Sequence, residues 1–124
     1  METNKTITED YVHLETAKLL AEKGFNEDTM CVYIGRYLLI KGDSTIYNRT
    51  DMPIIPAPTL QMAMKWLREV HHIFIQVELY SKRNDYCFEV FKNTHRMIIK
   101  YLEVCSSYEE AVEAALNYCL INLI

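Results

Sequence analysis

The chain has 124 residues, 50% hydrophobic and 24% charged, with a formal net charge of −4. That length suits one domain, residues 1–124, able to bury roughly two thirds of its unfolded surface, and the composition excludes disordered and collagen-like classes. No apolar run approaches the roughly 18 residues of a membrane-spanning helix. Charge also disfavours nucleic acid as a partner: residues 1–58 carry six Lys and Arg against nine Asp and Glu, and residues 59–124 carry seven against eight, whereas phosphate neutralisation supplies most non-specific affinity for nucleic acid.

The start, Met1 to Thr6, is polar and lacks the charged-then-apolar layout of a secretory signal, which predicts a cytoplasmic protein. A first helix is expected from Thr8 to Lys23, with Glu9 and Asp10 in the first turn, where the helix dipole favours acids. Val12, Leu14, Ala17, Leu19, Leu20 and Ala21 gather on one face, and Gly24 followed by Phe25 reads as a Schellman ending. From Met30 to Lys41 the residues are mainly β-branched, aromatic or leucine. Gly35-Arg36 in their middle predicts either two short strands joined by a two-residue turn or one strand bulged at Gly35.

Asn48 to Pro58 reads as a loop, with three prolines, no periodicity, and Ile54 and Ile55 apolar enough to be pinned against the core or a partner. The second helix, about 58–72, is expected to bury Leu60, Ala63, Met64, Leu67, Val70 and His71, leaving Trp66 at the border of the apolar face. Strict alternation from Ile73 to Tyr80 predicts a strand with one buried side. A polar connection (Ser81–Asp85), a strand (Tyr86–Lys92), a turn (Asn93–His95) and a last strand (Arg96–Val104) complete a three-strand meander. Ser107-Tyr108-Glu109-Glu110 is a capping box opening the final helix. On that helix Leu120 and Ile121 are expected to project away from the buried face as an apolar collar that another molecule would cover. The fold class that follows is α+β in two layers, an antiparallel sheet with three helices mainly on one face, in the order α-ββ-α-βββ-α.

Candidate site residues come without a reaction centre. Neighbouring His71 and His72 point about 100° apart on a helix and cannot grip one ion; His71 suits a core-edge histidine with a hydrogen bond, His72 a solvated one. Glu78 and Glu89 could face each other across the meander hairpin, although two opposed carboxylates on a wet sheet repel. Cys31, Cys87, Cys105 and Cys119 form no C-x-x-C pair and read as buried thiols, not as disulfides or metal ligands. No Gly-rich phosphate loop, nucleophile elbow, H-E-x-x-H or dinucleotide fingerprint is present. The expectation is no metal, no cofactor, no catalytic residue, and an activity that leans away from enzymes. The binding candidates are Trp66, Arg68, His72, Tyr80, Leu120 and Ile121, and nine tyrosines add rings suited to half-buried interfaces.

Three stretches carry a resemblance: Thr16 to Phe25 (TAKLLAEKGF), Ala57-Pro58-Thr59 followed by Lys65 to His71 (KWLREVH), and Ser107 to Ala111 (SYEEA). In order and spacing they resemble a family of small uncharacterised proteins of gut Bacteroidetes and their phages or mobile elements, with the Lys-Trp-Leu-Arg-Glu string the most specific. The resemblance implies no activity, substrate or catalytic residue; it favours a phage or mobile-element accessory role in the cytoplasm. Three functions therefore stand side by side. The first is a non-enzymatic interaction protein that self-associates or binds a host or phage protein. The second is a small-ligand binder, for a nucleotide or metabolite, with a pocket beneath the 48–58 loop near Trp66. The third is a nucleic-acid module, since helix, meander, helix is similar to a double-stranded-RNA-binding domain, although Glu109 and Glu110 stand where such domains need basic residues.

Overall fold

The structure is a computed structural model and describes residues 6–42, 51–80, 85–93, 96–100 and 104–124. Several sequence expectations lie outside these residues: the polar start at 1–5, the opening of the proline-rich loop at 48–50, the hairpin connection at 81–84, the turn at 94 and 95, and the strand extension at 101–103.

The elements are α1 (Leu14–Glu22), β1 (Cys31–Ile34), β2 (Tyr37–Ile40), β3 (Ile54–Ala57), α2 (Leu60–His71), β4 (Ile73–Leu79), β5 (Tyr86–Lys92), β6 (Arg96–Lys100) and α3 (Tyr108–Asn122). The chain is α+β with antiparallel pairing throughout, as its sequence predicts. The strands divide into two three-stranded sheets, β2-β1-β3 and β4-β5-β6.

β3 is the addition that makes the first hairpin a sheet. It lies in the segment expected as loop, and pairs antiparallel with β1 through Tyr33–Ile55 and Cys31–Ala57. Pro56 hides it from a sequence reading, because proline cannot donate to a ladder; at an edge strand with its nitrogen facing outward that cost disappears. The Gly35-Arg36 turn is the two-residue one, with Ile34 opposite Tyr37 and Gly35 at φ +62°.

α1 begins six residues later than expected because the chain ahead of it is drawn to the sheet edge. The Val12 amide donates to the Pro58 carbonyl (3.0 Å), the Leu60 amide donates to the Asp10 carbonyl (2.9 Å), and Tyr11 bridges Thr59. Glu9 and Asp10 therefore precede the helix, and Glu15 is the acid in its first turn. Its ending is the Schellman motif expected: the Phe25 amide donates to Leu20 (2.9 Å), the Gly24 amide to Ala21 (3.2 Å), and Gly24 takes φ +100°. This motif delivers the buried Phe25 ring to the core.

α2 is capped by Thr59, whose hydroxyl accepts from the Met62 amide at 3.1 Å. It ends at His72, in the left-handed region at φ 57°. α3 starts as a variant of the expected capping box: the Ser107 hydroxyl accepts from the Glu110 amide (3.0 Å), while the Glu110 carboxylate takes the amide and hydroxyl of Ser106 instead of the Ser107 amide. α3 is the central helix. It packs on β4 and β5 and is flanked by α1 and α2, so its buried arc is wide and includes Val112, Leu116, Cys119 and Leu120. With Leu20, Leu67, Ile73 and Phe88 these residues form the core, each large side chain contributing about 1.5–3 kcal/mol by leaving water.

Candidate interaction site

The six binding candidates fall in different places. Trp66 and Arg68 line one groove of about 530 Å³ on the outer side of α2, with Lys65, Glu69, Val70 and Glu27. No residue of the 51–58 segment lines this groove, although it lies near Trp66 as expected. Trp66 contributes little reach to it. The indole is 7% exposed and held in T-shaped contacts between Phe25 (ring centroids 5.5 Å) and His71 (4.8 Å). Val70, expected in the core, is 52% exposed instead. The exchange arises because Phe25, remote in sequence, covers Trp66.

His72 is exposed at the helix end, where its carbonyl accepts from the Asn93 amide at 2.9 Å. Tyr80 is exposed just past β4. The apolar collar on α3 is corrected at Leu120, which is fully buried, leaving Ile121 exposed alone. Val112, Leu116 and Leu120 follow at four-residue intervals and are all buried, because a helix packed against α1 and α2 as well as a sheet has a wider apolar arc than one lying on a single sheet.

Other sequence candidates become structural. Glu78 stands opposite Cys87, and Glu89 opposite Gln76, so the two carboxylates are diagonal and do not face each other. Among the described residues, no group of three or more His, Cys, Asp or Glu side chains is placed to hold a metal ion. Cys31, Cys87 and Cys119 are buried and Cys105 is half-buried, none of the four in a disulfide, and burial pushes the Cys119 thiol up to about 12. His71 lacks the hydrogen bond expected of it: Nε2 is buried without a partner. Burial holds its pKa below the ordinary histidine range, with the positive charges of Lys92 and His72 adding to the effect.

One polar cluster was not legible beforehand. Glu113 of α3 is buried, and its Oε2 accepts from the His13 amide (2.9 Å) and from the Thr16 hydroxyl. Asn117 Nδ2 donates to Thr16 Oγ1 at 2.9 Å and to the Glu113 carbonyl at 2.8 Å. His13 supplies no side-chain cap to α1, so a carboxylate from another helix satisfies the first turn and meets the positive end of the dipole. Each group is used, and the arrangement is a clasp between helices, not a reaction centre.

The surface with a chemical demand is the outer side of β2. Tyr37, Leu38 and Ile40 are 58%, 42% and 49% exposed, and among the described residues no strand lies beyond β2. The Lys41 amide donates to the Met30 carbonyl at 2.9 Å. In an antiparallel ladder the hydrogen-bonded pairs alternate, so Leu39 and Tyr37 also bond inward to Val32 and Ile34, while the N–H and C=O groups of Leu38 and Ile40 point outward. By the same alternation Cys31 and Tyr33 bond to Ala57 and Ile55, and the nitrogen that β3 turns outward is that of Pro56, which has no proton. Among the described residues, one edge of this sheet is blunted and the other has no strand upon it. The sequence signal for this edge is that Tyr37-Leu38-Leu39-Ile40 is apolar without alternation and carries neither lysine nor proline.

No protein-family model, no curated protein and no solved structure matches the chain.

Proposed function

We propose that the protein is a small non-enzymatic interaction module that works by protein contact, taking an extended protein segment onto the open edge of β2. The observation that carries this reading is that edge: four uncharged residues in a row, two of them turning backbone donors and acceptors outward beside exposed apolar side chains. Exposed to water these groups are solvated, but their spacing matches another extended backbone, and strand addition of this kind draws affinity from the ladder and specificity from the flanking side chains. The resemblance in its helices adds the setting, a cytoplasmic accessory protein of a phage or mobile element, with a host or phage protein or a second copy as partner.

The α2 groove supports a weaker second reading as a small-ligand site, since Lys65 and Arg68 beside Glu69 and Glu27 could orient a polar ligand; the buried Trp66 ring offers it little surface. Nucleic acid fits least, because Glu109 and Glu110 occupy the exposed first turn of α3.

The reading is tested by recovering tagged protein from its native host as wild type and as the double variant Leu38→Lys, Ile40→Lys, whose charges guard the edge from two half-exposed positions, with circular dichroism confirming the fold. Specific co-purifying protein is expected with wild type and not with the variant. Recovery of the same proteins with both would refute the edge as the contact.

A further inference from the structure

We propose that the occupant of the β2 edge is a second copy of β2, paired antiparallel about a two-fold axis through Leu39; this rests on the reading of the edge as a contact surface. A two-fold axis perpendicular to a sheet keeps its faces matched, so residues pair at positions placed symmetrically about the axis. Centring on Leu39 sets Leu38 opposite Ile40 of the second copy, and Ile40 opposite its Leu38. These are the two residues whose backbone groups point outward, so each pair closes as a hydrogen-bonded one.

The side chains agree with that register. Leu38 and Ile40 share a face with Tyr33 and Cys31, their partners across β1, which belong to the core. In the dimer each half-exposed leucine meets a half-exposed isoleucine beside the core of its own subunit. On the opposite face Leu39 meets Leu39, and Tyr37 meets Lys41 of the second copy, a ring against a long stem with a cationic tip. No like charges stand opposed, because Arg36 falls opposite Gly42 and Lys41 is already paired with Asp28. Guarded edges normally carry a lysine or proline in the strand itself; β2 carries neither between Tyr37 and Ile40, whereas β3 carries Pro56. The product is a continuous six-stranded antiparallel sheet in the order β3-β1-β2-β2-β1-β3. A contact of this length is at the small end of specific interfaces, so the dimer is weak and concentration-dependent.

The register yields a cross-linking test. Leu39 paired with Leu39 is a non-hydrogen-bonded pair with Cα atoms about 4.5 Å apart, within disulfide range, whereas Leu38 faces Ile40 and not itself. Sedimentation of the wild-type protein over a concentration series should show reversible dimer, and Leu38→Lys with Ile40→Lys should weaken it by about tenfold or more. Under mild oxidation Leu39→Cys should give covalent dimer well above wild type and Leu38→Cys, with circular dichroism confirming the fold of each variant. Wild type that stays monomeric at every concentration overturns the proposal, as does a dimer indifferent to the lysine variant, or Leu38→Cys cross-linking as well as Leu39→Cys. A monomer that still recovers host protein through the β2 edge sinks the dimer and leaves the strand-addition reading standing; a monomer that recovers nothing sinks both.

Discussion

Leu120 and Leu38 are the same side chain in opposite circumstances. Leu120, near the end of α3, has no exposed surface because α3 is covered from two sides, by α1 and by the second sheet. Leu38 faces the core side of the first sheet and is still 42% exposed, because among the described residues β2 has a neighbour strand on one side only. What separates a sealed residue from an available one here is the number of neighbouring elements, not hydrophobicity. Most of the fully buried side chains gather around α3, whereas β2, the strand proposed as the contact edge, adds none to the core.

The largest effect that could break this contrast is in the sealed region. Leu120→Ala is expected to cost about 2–5 kcal/mol, through lost transfer energy and the cavity left behind, in denaturant unfolding. A cost under about 1 kcal/mol would mean that the end of α3 is open after all. Next in size is the polar exception within that region: Glu113→Ala removes the acceptor for the His13 amide and the Thr16 hydroxyl and should cost about 1–3 kcal/mol. If the clasp is real, amide exchange in the first turn of α1 rises with that substitution, while exchange in α2 does not.

A smaller effect concerns His71, whose folded-state pKa is depressed, chiefly by burial. Such a group favours folding above its unfolded pKa, near about 6.5, and loses that contribution as pH falls through the folded value. Stability should therefore decline on acidification from neutral pH, and His71→Phe should flatten the decline in that window in a series of pH-dependent melts. An unchanged slope would contradict the buried, partnerless Nε2. The smallest effect lies at the open edge: Leu38→Ala should alter monomer stability by no more than about 0.5 kcal/mol, measured in dilute solution.

Much of the fold was legible because its signals are local. The Gly35-Arg36 turn, the alternation of Ile73 to Tyr80, the Gly24-Phe25 ending and the Ser107 cap depend on residues within a few positions of one another, and each element forms where those residues place it. The errors share a different cause. β3 was missed because Pro56 is forbidden only in strands with neighbours on both sides, Trp66 and Val70 exchanged places because Phe25 arrives from α1, and Leu120 turned inward because α1 lies against α3. The Glu113–Thr16 clasp joins residues about a hundred positions apart. Of the binding candidates, Trp66 and Arg68 share a groove, and the unbroken apolar run of β2 does not by itself mark an exposed edge, because a strand's neighbour count is not written in its own residues.

The most direct test of the account is residue-resolved amide hydrogen exchange along β2 in dilute and in concentrated protein. Tyr37 and Leu39, bonded inward to β1, should be protected in both. Leu38 and Ile40 should exchange rapidly when dilute and slow markedly as concentration rises. Protection at Leu38 and Ile40 equal to that of their neighbours in dilute monomer, or rapid exchange there at every concentration, would contradict an open edge that a second copy closes.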